Sequence, residues 1–98
     1  MTKLESEFAF ELREEIKARF PGSFIIKLDP QRVQGIPNLL VLWRNRWAIL
    51  ETKRGLKSVR QPNQEYYVGL FDEMSFSDFV HPLNYREVLD EMERVFGL

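Results

Sequence analysis

The chain has 98 residues, 44% hydrophobic and 30% charged, with 14 Lys and Arg against 15 Asp and Glu, one His and no Cys. That length holds one domain around one modest core, and the missing cysteines exclude disulfides, thiolate metal sites and a thiol nucleophile. A lone His leaves His-ligand clusters and Ser-His-Asp chemistry without support, and no uncharged stretch approaches the ~20 residues of a membrane span.

Acidic residues run through the first twenty positions, so neither a signal nor a transit peptide is expected and a cytoplasmic, intracellular setting is. Leu4, Phe8, Leu12, Ile16 and Phe20 recur every fourth position, predicting a helix over 4–20. Thr2 is placed to cap it and Pro21-Gly22 to stop it. Residues 23–28 predict a strand, followed by a turn at Asp29-Pro30. Leu39 to Trp43 is a short apolar run suited to a buried central strand. Arg44-Asn45-Arg46 makes a tight turn, and residues 47–53 return as its antiparallel partner. Trp43 and Trp47 are expected to pair across that turn.

Gly55 ends the second strand and residues 57–61 read as a loop. Pro62 suits the first position of a helix carrying Gln64, Tyr67, Val68 and Phe71. Residues 76–80 form a last strand, ended by His81-Pro82. With no second His nearby, His81 is expected to be non-catalytic. Tyr85, Val88, Leu89, Met92 and Phe96 define an amphipathic helix. The order is helix, three strands, helix, strand, helix, an α/β arrangement without linker or repeat.

The net charge of -1 argues against a nucleic-acid partner only if the charge is evenly spread. It is not. Residues 1–26 carry four basic and five acidic residues, residues 27–60 eight and two, and residues 61–98 two and eight. The middle third has a net of +6 and the last third -6, and a positive surface of that size can steer a polyanion.

Glu51 and Lys53 lie two apart on a predicted strand, so alternation puts both on one face. A carboxylate and an ammonium leaving the end of a core strand together need water, each other or a metal. An oxygen-rich site suits Mg²⁺, and an adjacent Lys can stabilise charge on a phosphoryl oxygen. By itself Glu-x-Lys is also common on ordinary surface strands.

The frame around the pair is more specific. Gly35, Pro37 and Asn38 enter an apolar strand, a short turn follows, a second strand ends in Glu51 and Lys53, and Gln64 opens the next helix. With these six positions in order, GIPNLLVLWRNRWAILETK resembles the PD-(D/E)xK nuclease superfamily, and within it the VRR-NUC branch related to the Holliday-junction resolvases. The resemblance implies a restriction-endonuclease-like core with a mixed central sheet, one nuclease domain over residues 1–98. It implies a Mg²⁺- or Mn²⁺-dependent endonuclease that hydrolyses DNA phosphodiesters and is directed by structure, branched or flapped, more than by sequence.

Carried over by position, Glu51, Asn38 and the Thr52 backbone carbonyl would hold the metal. Lys53 would assist the attacking water, and Gln64, with Gln61 as a nearby competitor, would orient a water or a phosphate oxygen. A further carboxylate is expected from the first helix. At about 100° per residue Glu5 and Glu15 fall nearest the Phe8/Leu12/Ile16 direction, whereas Glu7 and Glu14 point away; Glu5 is favoured and Glu15 is the alternative. Glu5 also suits the first helical turn as a plain surface residue.

The family has Asp where this chain has Asn38. An amide brings no charge, so weaker metal binding and reduced cleavage are expected. The change fits an introduced substitution, a naturally altered site, or a domain that binds DNA without cutting it; Asn also serves as a turn residue. Arg54, Lys57 and Arg60 follow the candidate strand and are the nearest phosphate contacts, with Arg44 and Arg46 on the hairpin and Lys27 and Arg32 before Asn38 as further candidates. Each is also compatible with a solvated surface charge. Cutting two strands needs two sites, which a homodimer supplies most simply.

Overall fold

A computed structural model describes residues 5–55 and 58–98, the Glu5 side chain excepted. Thr2, Leu4 and Lys57, expected above as cap, first helical residue and phosphate contact, lie outside the described residues. In chain order the elements are α1 (Glu5–Arg19), β1 (Phe24–Lys27), β2 (Leu39–Trp43), β3 (Arg46–Thr52), α2 (Gln64–Met74), β4 (Ser77–Val80) and α3 (Tyr85–Phe96). This is the order expected from the sequence, with boundaries moved by one or two residues.

The fourfold spacing in α1 has the consequence it predicts: Phe8, Leu12, Ile16 and Phe20 are each no more than 1% exposed. Gly22 takes φ +85°, the left-handed conformation that lets the chain leave the helix and reverse. The strands form one sheet in the order β1-β2-β3-β4. β1/β2 and β2/β3 are antiparallel and β3/β4 is parallel, so the sheet is mixed. A parallel neighbour requires a crossover, and α2 provides it.

Alternation along β3 then sorts its side chains onto two faces. Ala48 and Leu50 join Leu39, Val41 and Trp43 of β2 in the main core with α1 and α3. Trp47 and Ile49 face the other way, where Trp47 meets Phe71 of α2 edge-on. The two tryptophans therefore do not pair. The two-residue hairpin loop, with Arg44 at φ 58°, sets Trp43 opposite Arg46 and Trp47 opposite Leu42. That register is one residue off a Trp–Trp pairing and sends the two indoles to opposite faces. Trp43 stacks on Phe96 and donates its Nε1–H to the Pro21 carbonyl at 2.9 Å. Among the described residues no helix is long and apolar enough to cross a membrane.

Candidate active site

β3 carries its burial to its end. Leu50 is fully buried, and Glu51 follows at only 6% exposure. Beyond it the Lys53 N–H donates to the Val80 carbonyl at 2.8 Å, which keeps the chain extended beside β4. Glu51 and Lys53 thus share the face that α2 covers, as their spacing predicts.

Gly35 brings the rest of the frame together. Its φ is +88°, and a Cβ there would lie 2.5 Å from the Pro62 carbonyl oxygen and 2.7 Å from Asn63 Cβ. Glycine alone permits that approach, so the segment entering β2 rests directly on the turn entering α2. Asn38 and Gln64 are positioned from this one contact. Pro62 stands before the helix cap and not at the first helical position as expected. Asn63 takes the capping place in a left-handed conformation (φ 70°), and Gln64 is the first residue of α2.

Two buried polar side chains, Glu51 and Gln64, meet the part-buried Lys53 there. Gln64 Nε2 donates to Glu51 Oε2 at 3.1 Å, while Lys53 Nζ donates to Gln64 Oε1 at 2.7 Å and stands 3.7 Å from Glu51 Oε2. Gln64 Oε1 also accepts the Gln61 N–H at 2.7 Å, and Lys53 Nζ donates to the Val59 carbonyl at 2.9 Å. Gln61 itself is exposed and contributes only its backbone, which separates it from Gln64. Burial pushes the Glu51 carboxyl above its ordinary range, and Lys53, the Asn38 backbone N–H and Gln64 oppose that rise. A carboxylate in such a setting keeps its charge through its partners, not through water.

Asn38 touches this cluster through its backbone, but its side chain turns to Thr52. Asn38 Oδ1 accepts the Thr52 N–H at 3.0 Å, and Nδ2 donates to Thr52 Oγ1 at 2.7 Å. Because a backbone N–H can only donate, the amide orientation is fixed. The two interactions close the open end of the β2/β3 ladder and leave both polar ends of Asn38 engaged.

On the other face of that ladder end lies a cleft of about 850 Å³ between the first turns of α1 and the sheet. Asn38 and Thr52 line it, with Phe10 and the cations Arg13, Lys27 and Arg54. Lys27 and Arg54 were expected near the site. Arg13 was not, because it sits in an acidic helix. Its signal is positional: Ala9 and Arg13, four apart and flanking the buried Leu12, share one edge of the apolar stripe.

The other basic candidates separate. Arg60 pairs with Glu65 at 2.8 Å and lies over the Phe79 ring at 3.8 Å. Arg32 is exposed in the loop after β1. Arg44, stacked 4.3 Å from the Trp43 ring, and Arg46 mark the hairpin tip. Four ladder steps separate Trp43–Arg46 from Leu39–Leu50, about 14 Å at ~3.4 Å per residue, so the +6 segment does not form one surface. The hairpin itself carries two of its eight cations away from Glu51.

Glu15, the alternative helix-one ligand, accepts from Arg19 at 3.1 Å, and Arg19 also pairs with Asp90 and Glu93 of α3. That network ties α1 to α3 instead of reaching Glu51. The Glu5 side chain lies outside the described residues. His81 is buried, and its Nδ1 accepts the Leu83 N–H at 3.1 Å, holding the turn into α3. Asp78, which the sequence did not single out, lines a cavity of about 130 Å³ with Lys53, Arg60 and His81. Burial raises its carboxyl above the ordinary range.

Among the described residues no three His, Cys, Asp or Glu side chains converge as a ready metal cage. The donors present are nonetheless hard oxygens, the Glu51 carboxylate and, across the strand end, the neutral Asn38 Oδ1 that accepts the Thr52 N–H. Mg²⁺ typically keeps several waters and uses one or two carboxylates, so this donor set fits a weakly held divalent cation. No family model, curated protein or solved structure matches the chain.

Proposed function

We propose that this protein is a Mg²⁺- or Mn²⁺-dependent DNA endonuclease of the PD-(D/E)xK type, acting inside the cell on branched or flapped DNA. The observation that carries the proposal is the interlock of Glu51, Gln64 and Lys53 at the end of β3, two buried polar groups and a part-buried ammonium joined at 2.7 to 3.7 Å. A purely structural strand end would bury apolar side chains there at lower cost.

In this reading Glu51, Asn38 Oδ1, the Thr52 carbonyl and the helix-one carboxylate expected from the sequence, Glu5, would hold a cation, which would supply charge stabilisation and a lowered water pKa. Lys53 turns its ammonium toward a phosphoryl oxygen and offsets the negative charge that builds as water attacks phosphorus in line and the P–O bond to the leaving oxygen breaks. Gln64 keeps Lys53 and Glu51 in register, and on substrate binding it exchanges a contact for the water or the phosphate oxygen. Two copies of the chain in a symmetric dimer supply the two sites that cutting both strands requires.

A second reading, a DNA-binding domain that does not cut, is favoured by one observation. Both ends of the Asn38 amide are already engaged by Thr52. Labelled linear, flapped and four-way-junction DNA incubated with Mg²⁺ or Mn²⁺ separates the two. The nuclease reading expects cleavage by the natural chain that Glu51→Gln abolishes and Asn38→Asp increases. No cleavage by the natural chain or by Asn38→Asp, with either ion and on every substrate, refutes it.

A further inference from the structure

We infer that the cleft between α1 and the sheet is a binding groove for one unpaired DNA strand, with Phe10 as its stacking platform and Arg13, Lys27 and Arg54 as its phosphate contacts. The inference deepens the proposed function and rests on it for the chemistry at Glu51, so binding is tested apart from cleavage.

Charge comes first. Among the described residues most cations outside the cleft have partners. Arg19, Arg60 and Arg94 pair with carboxylates, and Arg44 and Arg86 lie over aromatic rings. Arg13, Lys27 and Arg54 form no ion pair with any described residue, yet α1, β1 and the segment just after β3 bring all three to one cleft. No acidic side chain is among its described lining residues. Three like charges gathered around one concavity repel one another unless an anion lies between them.

Shape and chemistry then select the anion. A volume of about 850 Å³ is of the size that takes a drug-sized molecule, hence a short run of single strand and not a duplex. Phe10 is 64% exposed at the cleft, an aromatic left in water beside the cations. A basic groove with an exposed aromatic is the combination that holds unpaired bases by their π-faces and the backbone by its charge. The groove floor, Asn38 and Thr52, lies at the same end of β2 and β3 as Glu51, whose side chain takes the opposite face of the sheet.

The test is fluorescence anisotropy with a labelled oligothymidylate, the matching DNA duplex and an RNA strand of the same length, in EDTA so that no cutting occurs. The natural chain binds the single DNA strand more tightly than the duplex or the RNA. Phe10→Ala weakens that binding by about fivefold or more, and Arg13→Ala and Lys27→Ala each flatten the plot of log affinity against log salt by about 0.7. Lys17→Ala, a neutralised cation on the same helix outside the cleft, leaves both unchanged. Lys27 is exposed at the sheet edge, so its variant reports on binding even if Arg13→Ala fails to fold. Equal affinity for duplex and single strand, preference for RNA, or affinity and salt slope in Lys27→Ala matching Lys17→Ala would overturn the groove. Strand binding by the natural chain with no cleavage by it or by Asn38→Asp, with either ion, would leave the groove standing and remove the nuclease.

Discussion

Replacing Lys53 with Met keeps the length of the side chain and removes its charge from a buried cluster. Lys53 Nζ and Glu51 Oε2 are 3.7 Å apart, with side chains 11% and 8% exposed. At an effective dielectric of ~20 that separation corresponds to an attraction of about 4 kcal/mol before desolvation is counted. Removing one partner of a buried pair strands the other, at about 3 kcal/mol or more of folding stability near neutral pH. The size of the loss depends on pH through Glu51. Its folded carboxyl is raised above the ordinary value, so its burial costs stability above the folded pKa, and that cost is relieved as pH falls toward the ordinary carboxylate range. Without Lys53 the rise is larger and the relief on acidification is greater. Urea unfolding followed by Trp fluorescence at about pH 7.5 and about pH 5 should give a Lys53→Met deficit that shrinks at the lower pH. A deficit below about 1 kcal/mol at neutral pH, or one of equal size at both, would refute the coupling.

Other positions make separate predictions. Asn38→Asp keeps the acceptor for the Thr52 N–H and lets the Thr52 hydroxyl donate to its second oxygen, adding a carboxylate without moving the strand. Mn²⁺ titration calorimetry should show about tenfold tighter binding, near 1.4 kcal/mol, and an unchanged affinity would exclude Asn38 from the metal site. Gly35→Ala forces a Cβ to 2.5 Å from the Pro62 carbonyl at a φ of +88°; it should cost about 2–4 kcal/mol in chemical unfolding, and a smaller loss than about 1 kcal/mol would mean that the contact can relax. Leu50→Ala empties a fully buried position beneath Glu51 and should cost about 3 kcal/mol by the same measurement.

The element order and the main core were legible because period and burial agree. The fourfold spacing of Phe8 to Phe20 and the two-residue spacing of Ala48 and Leu50 both point to one buried surface. Glu51, Lys53 and Gln64 were legible as a group because strand alternation and the start of a helix are local facts. Register was harder to read. Nothing between Trp43 and Trp47 says whether Arg44-Asn45 or a longer loop makes the turn, and that choice decides which face each indole takes. Charge was legible only by segment. The hairpin folds Arg44 and Arg46 away from Glu51, while α1, from a different segment, brings Arg13 to Lys27 and Arg54. The Asn38–Thr52 contact is likewise a product of pairing across β2 and β3, out of reach of a reading along the chain.

The proposed site stands or falls most directly on where a divalent cation settles. Crystals soaked in Mn²⁺ and measured by anomalous scattering should place a peak within coordination distance of the Glu51 carboxylate, on the side of Asn38, and the peak should vanish in Glu51→Gln. Crystals with no peak at Glu51 under saturating Mn²⁺, or with the same peak retained in Glu51→Gln, would contradict a metal-dependent role for this cluster.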